Sequence, residues 1–176
     1  MAVYKQKIQI KSHGGTPTFV NITEQVRKAI ADSGIRSGIV TAISPHTTCS
    51  VFFEEYVHDT LPDGTEYLQR DLNKVLQSII PDQLTPPSED TYLYPGEKHY
   101  EAVEAWPDAA SYLPGGDRTA LFNCDAHLKA TMLGNSTTLE VEDGKLAVGP
   151  TGYVYFVDFD RAKGRTRRCT IVVMGE

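Results

Sequence analysis

Two short segments of this chain place a histidine beside small polar donors. They are Pro45-His46-Thr47-Thr48-Cys49-Ser50 and Asn123-Cys124-Asp125-Ala126-His127-Leu128-Lys129. Each stands at the edge of an apolar run. A neutral imidazole ligates a divalent metal or acts as a base near neutral pH, and Thr47 and Thr48 add two hydroxyls beside His46. His127 falls in the first turn of a predicted helix capped by Asn123 or Asp125. Free backbone N–H groups and the positive dipole end collect there, which favours an anion and keeps a histidine neutral. Lys129 adds a positive charge suited to a phosphate. Brought together, the two segments would form a pocket lined by imidazole, hydroxyl and ammonium groups. Taken singly, each has a plainer reading: His46 bonded to a nearby backbone group in a turn, and His127 as a capping residue.

Other candidates are more scattered. Glu54 and Glu55 are adjacent on a predicted strand, so their side chains point to opposite faces and at most one can share a pocket. Asp71 borders the apolar stripe of a predicted helix. His99 and His58 could each supply a third nitrogen, and His13 beside Gly14-Gly15 reads as loop surface. Three imidazoles with a carboxylate would make a zinc or other transition-metal site. No HxH or HExxH spacing enforces one locally, so such a site depends on tertiary convergence. A GxGxxG turn, a GxxxxGK[ST] loop and a GxSxG elbow are all absent, which argues against nucleotide-triphosphate hydrolysis and serine hydrolase chemistry.

The elements that must position these residues follow from apolar spacing. Lys5–Lys11 alternates as a half-exposed strand. Asn21 and Glu24 have the spacing of a capping box ahead of Ile22, Val26 and Ile30, and Gly34 is a natural stop. Gly38–Ile43 and Cys49–Phe53 read as buried strands. Asp63-Gly64-Thr65 introduces an amphipathic helix through Leu68, Leu72, Val75, Leu76 and Ile79, ended by Pro81. Residues 82–122 are rich in Pro, Gly, Tyr and acid without a sustained period, an irregular excursion of a length that is usually functional. Asn123–Leu133 is a helix with Gly134 as its C-cap. Thr137–Val141 and Lys145–Val148 flank Asp143-Gly144, a type I′ hairpin signal. Tyr153–Phe159 and Thr170–Val173 read as a further strand pair around the basic run Arg161–Arg168, a solvated hairpin tip. The expected class is α+β, with a mixed or antiparallel β-sheet and about three helices in one domain.

Composition narrows the partners. The 176 residues are 40% hydrophobic, with 17 Lys and Arg against 23 Asp and Glu and a net charge of −6. This balance argues against a nucleic-acid partner. Three cysteines without CxxC spacing suit a reducing compartment. No apolar h-region opens the chain and no apolar run approaches a membrane span, so no membrane partner and a cytoplasmic location are expected.

The order of these segments resembles the YjbQ-like family, whose members carry the label secondary thiamine-phosphate synthase. The strongest piece is Asp125-Ala126-His127-Leu128-Lys129 through Gly134-Asn135-Ser136, continuing through Leu139–Leu146. His46-Thr47-Thr48-Cys49-Ser50 matches the family's histidine–threonine strand, Glu55 its acidic residue, and Arg70-Asp71-Leu72 its arginine–acid helix. The resemblance implies an α+β homotrimer with catalytic residues His46, His127, Glu55 and Asp71. Thr47, Thr48, Lys129 and Asn123 would bind a small phosphorylated substrate, and His46, His99 and His127 would hold a divalent metal ion, Mg or Zn. The implied reaction joins a pyrimidine diphosphate to a thiazole phosphate with release of pyrophosphate. The alternatives are a metal-dependent hydrolase or lyase and a non-catalytic trimer that binds a small anion. The chain departs from the family at Gly149-Pro150-Thr151-Gly152-Tyr153, which lacks the usual tryptophan and glutamine. It departs also at Phe52 and Glu54, and in an excursion that looks longer than usual.

Overall fold

The computed structural model describes all 176 residues. Five antiparallel strands form one sheet in the order β1 (Ala2–Lys11), β8 (Thr166–Gly175), β3 (Gly38–Ile43), β5 (Ser136–Glu142) and β6 (Lys145–Leu146). A second sheet has β7 (Gly152–Asp158) between β2 (Thr18–Asn21) and β4 (Cys49–Glu55). The fold is α+β, as expected. The expected pairing of the last two strands does not occur: β7 pairs with β2 and β4, whereas β8 pairs with β1 and β3. The basic run is therefore a crossing between sheets rather than a hairpin tip.

The two sheets face each other across the main core. Alternate residues of β8 (Cys169, Ile171, Val173) and β3 (Val40, Ala42) meet Cys49, Val51, Val154 and Phe156 of the second sheet. Helix α1 (Thr23–Ser33) adds Val26, Ala29 and Ile30. Strand β7 is covered on both faces, because Val157 and the following Phe159 pack under α2 (Tyr67–Ile79) and α5 (Cys124–Leu133) through Leu76, Ala126 and Ala130. Burial on both faces is the reason that Tyr153–Phe159 is apolar without alternation.

Several local signals hold. Asp143 and Gly144 take φ of 49° and 73°, and Glu142 pairs with Lys145, giving the tight hairpin. Gly34 ends α1 in the left-handed conformation, at φ 68°. The capping box does not form: Asn21 Oδ1 accepts from Thr23 N–H at 3.0 Å, while Glu24 pairs with Arg27 at 2.7 Å. The excursion is less irregular than its composition suggests. It contains α3 (Glu97–Glu104) and α4 (Ala109–Tyr112), followed by two short 3-10 turns, so the helices number five rather than three. Tyr100, Val103, Leu113 and Leu121 form a small core of its own. The period was hidden because the helices are short and broken by Pro107 and Pro114. The three cysteines are free, and no helix is long and apolar enough to cross a membrane.

Beneath α2 lies a polar cluster. Tyr155 donates its hydroxyl to both oxygens of Glu66 at 3.0 and 2.9 Å, and Val57 N–H and Gln69 Nε2 donate to the same carboxylate. Glu54 Oε2 is buried beside this group with no partner. Burial first, and then the charge of Glu66, push the Glu54 carboxyl up from 4.5 to about 7. A raised carboxyl contributes stability that is present below its unfolded value and is lost as pH rises through the folded one. Glu54→Gln should raise the melting temperature by roughly 4 °C at pH 8 and leave it nearly unchanged at pH 4.5. Thermal melts followed by circular dichroism at the two pH values check this, and an equal shift at both would count against it.

Candidate functional site

At one end of the two sheets, loops from four parts of the chain enclose a cavity of about 310 Å³. Its polar lining includes His46, Thr47, Thr48, His99, Asn123, His127, Asp160, Arg165 and Arg167. His46, Thr47 and Thr48 come from the turn that leads out of the five-stranded sheet into β4. Asn123 and His127 come from the start of α5. Tyr94 and His99 enter from the excursion, and the arginines from the crossing into β8.

Each group is held by a specific bond. Arg167 grips the buried Asp158 through Nε and Nη2 at 2.7 and 3.0 Å and reaches Thr48 Oγ1 at 3.0 Å. Arg165 Nε donates to Asp160 at 3.0 Å. These bonds leave Arg167 Nη1 and both terminal nitrogens of Arg165 without a protein acceptor, so donors remain for a ligand. His46 Nε2 accepts from the Arg168 N–H at 2.9 Å, which ties the histidine turn to β8. Tyr94 Oη and His99 Nε2 stand 3.0 Å apart, and the Tyr94 ring meets the edge of His127 with centroids 5.4 Å apart. Burial lowers the pKa of His127 against the opposing charge of Asp160. It lowers that of His46 too, helped by Arg167 and Arg168. Both imidazoles are therefore neutral near pH 7. With two guanidiniums set against two aspartates, the free cavity is close to charge balance.

One buried group among the residues lining the cavity lacks a partner. Asn123 is only 7% exposed, and its Oδ1 makes no hydrogen bond. Capping of α5 has passed instead to Gln83, whose Oε1 accepts from Cys124 N–H at 2.9 Å. A buried amide oxygen left unpaired costs on the order of 1–3 kcal/mol.

Six residues singled out in the sequence thus line one cavity: His46, Thr47, Thr48, His99, Asn123 and His127. Three do not. Lys129 is 1% exposed and is consumed by Asp82 at 2.7 Å and Asp125 at 3.2 Å, a network that Arg161 joins. It locks the start of the excursion onto α5, so its role is positional. Glu55 sits on the opposite end of β4, about 20 Å from Cys49 at ~3.3 Å per residue, and is exposed. Asp71 is exposed on α2, 3.8 Å from Arg70. The arginines and Asp160 were missed because a basic run at a chain reversal reads as solvated. The signal available was the alternation of Arg165 and Arg167, which places both on one face of an entering strand.

The three imidazoles do not form a metal cage. No three His, Cys, Asp or Glu side chains converge as a donor group anywhere in the chain. The Nε2 atoms of His46 and His99 are already engaged in hydrogen bonds. A second cavity of about 330 Å³ lies across the same turn, bounded by Pro45, His46 and Thr47 on one side and by Ala130, Thr131 and Asn135 on the other.

Comparison with known proteins agrees with this architecture. Residues 6–176 match the family described as UPF0047 protein YjbQ-like. A UPF0047 protein of Archaeoglobus fulgidus is 32% identical over 152 residues, 86% of this chain and 87% of that one. The UPF0047 protein YugU of Bacillus subtilis is 28% identical over 156 residues, 89% of each chain. A crystal structure of a YjbQ/UPF0047 family protein from Clostridium acetobutylicum superposes with a TM-score of 0.65 at 24% identity, covering 96% of this chain and 99% of that one. A YbjQ-like protein of Sulfolobus solfataricus gives 0.63 at 22% identity, covering 99% of this chain and 100% of that one.

The buried network around Lys129 separates a structural role from a ligand-binding one. Lys129→Met leaves Asp125 buried with only part of its compensation, so stability should fall by about 3 kcal/mol. Urea denaturation measures this. An unchanged midpoint would return Lys129 to the ligand-binding set.

Proposed function

Because the chain belongs to the UPF0047 YjbQ-like family, we propose that it is a small transferase acting on phosphorylated heterocycles, of the secondary thiamine-phosphate synthase kind. The observation that carries this reading is the convergence of His46, His99, His127, Arg165 and Arg167 on one cavity. In the reaction, the C–O bond of the pyrimidine diphosphate breaks with its electron pair leaving on pyrophosphate. The lone pair of the thiazole nitrogen forms the new C–N bond. No proton has to be removed from that nitrogen, so the protein's task lies at the leaving group.

The free donors of Arg165 and Arg167 meet the diphosphate oxygens, where preorganised charge lowers the barrier most, and Thr48, bonded to Asp158 and Arg167, holds that guanidinium in place. His127 supplies a proton or an N–H to the departing oxygen. His46 fixes the turn that divides the two cavities, and that division gives room for two substrates. Asn123 lines the same cavity beside the bound substrate. The divalent ion implied by the resemblance finds no three-residue donor set, so no step is drawn through it. The trimer implied by the resemblance would bury the large apolar side chains that α2 and α5 leave exposed, Val75, Ile79, Leu128 and Met132.

Purified protein should release pyrophosphate only when both heterocyclic phosphates are present, and His127→Ala should reduce this by about 100-fold or more without changing the thermal melt. Undiminished release in that variant would remove His127 from the reaction. The cavity is nearly charge-balanced with neutral histidines, so binding a dianion should draw in a proton. Sulfate, which does not titrate in this range, should bind about tenfold more tightly at pH 6 than at pH 8. Calorimetry in buffers of different ionisation enthalpy measures both affinity and proton uptake. Affinity independent of pH would show that the histidines stand outside the anion subsite.

A further inference from the structure

The cavity has a second kind of wall that the chemistry of phosphate does not use. Beside the arginines stand Trp106 and Tyr112, both supplied by the α3–α4 part of the excursion. Trp106 is the single tryptophan of the chain and is 43% exposed, whereas Tyr112 packs against the small apolar core of Tyr100, Val103, Leu113 and Leu121. The two rings meet edge to face with centroids 5.0 Å apart and planes at 79°. That arrangement leaves one ring face available rather than closing the pair on itself. The Arg165 guanidinium lies 5.9 Å from the Tyr112 centroid, so the aromatic wall and the anion-binding donors adjoin within one cavity. Lys163 Nζ donates to the Ser111 carbonyl, and Arg118 is bonded to Glu97 and Glu104, which fixes the unit in place.

Trp106 keeps a large aromatic ring partly in water on the wall of a polar pocket. Such residues are common anchors of bound molecules, because a rigid ring provides contact area at low entropic cost. We propose that the α3–α4 unit is the ring-recognising wall of the site. Trp106 and Tyr112 receive the planar aromatic part of a phosphorylated ligand and select it over an aliphatic phosphate. This rests on the reading of the cavity as a phosphate-binding site and adds the residues that choose among phosphates.

The test uses three simple probes: phenyl phosphate, glycerol 3-phosphate and sulfate. Phenyl phosphate should quench Trp106 fluorescence on excitation at about 295 nm, a wavelength at which tryptophan dominates. Calorimetry should give it roughly tenfold higher affinity than glycerol 3-phosphate. Trp106→Leu should abolish that preference while leaving sulfate affinity and the thermal melt unchanged, since the side chain is already partly solvated. Equal affinity for the two esters in the wild type would overturn the proposal, as would a preference that survives in Trp106→Leu. Sulfate would then still report an intact anion subsite. If none of the three probes binds, the anion reading falls and the wall's role falls with it.

Discussion

The bond on which the rest of the site depends is the bidentate grip of Arg167 on Asp158. Asp158 closes β7 in one sheet and Arg167 opens β8 in the other, so the pair ties the two sheets together where the cavity forms. Both partners are buried or nearly so, which makes the pair costly to form and costlier to break. Burial alone would raise the Asp158 carboxyl, yet the Arg167 hydrogen bonds hold it below the usual carboxylate range. The same guanidinium reaches Thr48, and the neighbouring Arg168 N–H holds His46. One crossing between sheets thereby sets the position of the histidine turn, the arginine donors and Asp160. Apolar residues of similar volume could pack there, but they would not specify which end of the sandwich opens.

A second charged network does the corresponding work for the excursion. Lys129, Asp125, Asp82 and Arg161 neutralise one another at the first turns of α5. Gln83 joins them by bonding to Cys124 N–H, to Asp125 and, through its amide nitrogen, to the Tyr94 carbonyl at 2.8 Å. The chain between Pro81 and Tyr94 is strapped to α5 by polar bonds rather than by apolar contact, and its composition accordingly resembles a loop. This strap delivers Tyr94 and His99 to His127. Because Gln83 caps the helix, Asn123 is released from capping, and its buried Oδ1 is left unpaired at the edge of the cavity. The helix end and the binding site are in this way coupled through a single glutamine.

How much of this was legible beforehand depends on the range of the interaction. The Asp143-Gly144 hairpin, the Gly34 stop and the helix begun at Asn123 are set by backbone conformation and nearest neighbours, and each stands in the structure where its residues placed it. The convergence of His46 with His127 was suggested by segment order, and both line one cavity. The short helices of the excursion were obscured by prolines. Lys129 misled because, two residues after His127, it offered a charge for a phosphate, whereas it is spent on Asp125 one turn away and on Asp82, which is remote in sequence.

The sequence by itself determined the class of fold, the short-range turns and caps, and the residue types from which a polar site could be built. These follow from periodicity and from local hydrogen bonding, which act over a few residues. Only the tertiary structure decided that Tyr153–Phe159 and the last strand part into different sheets, that Arg165 and Arg167 turn inward, and that Glu55 and Asp71 lie away from the cavity. The physical reason is that a charge declares its partner only when burial leaves it no water, and burial is a property of the whole chain.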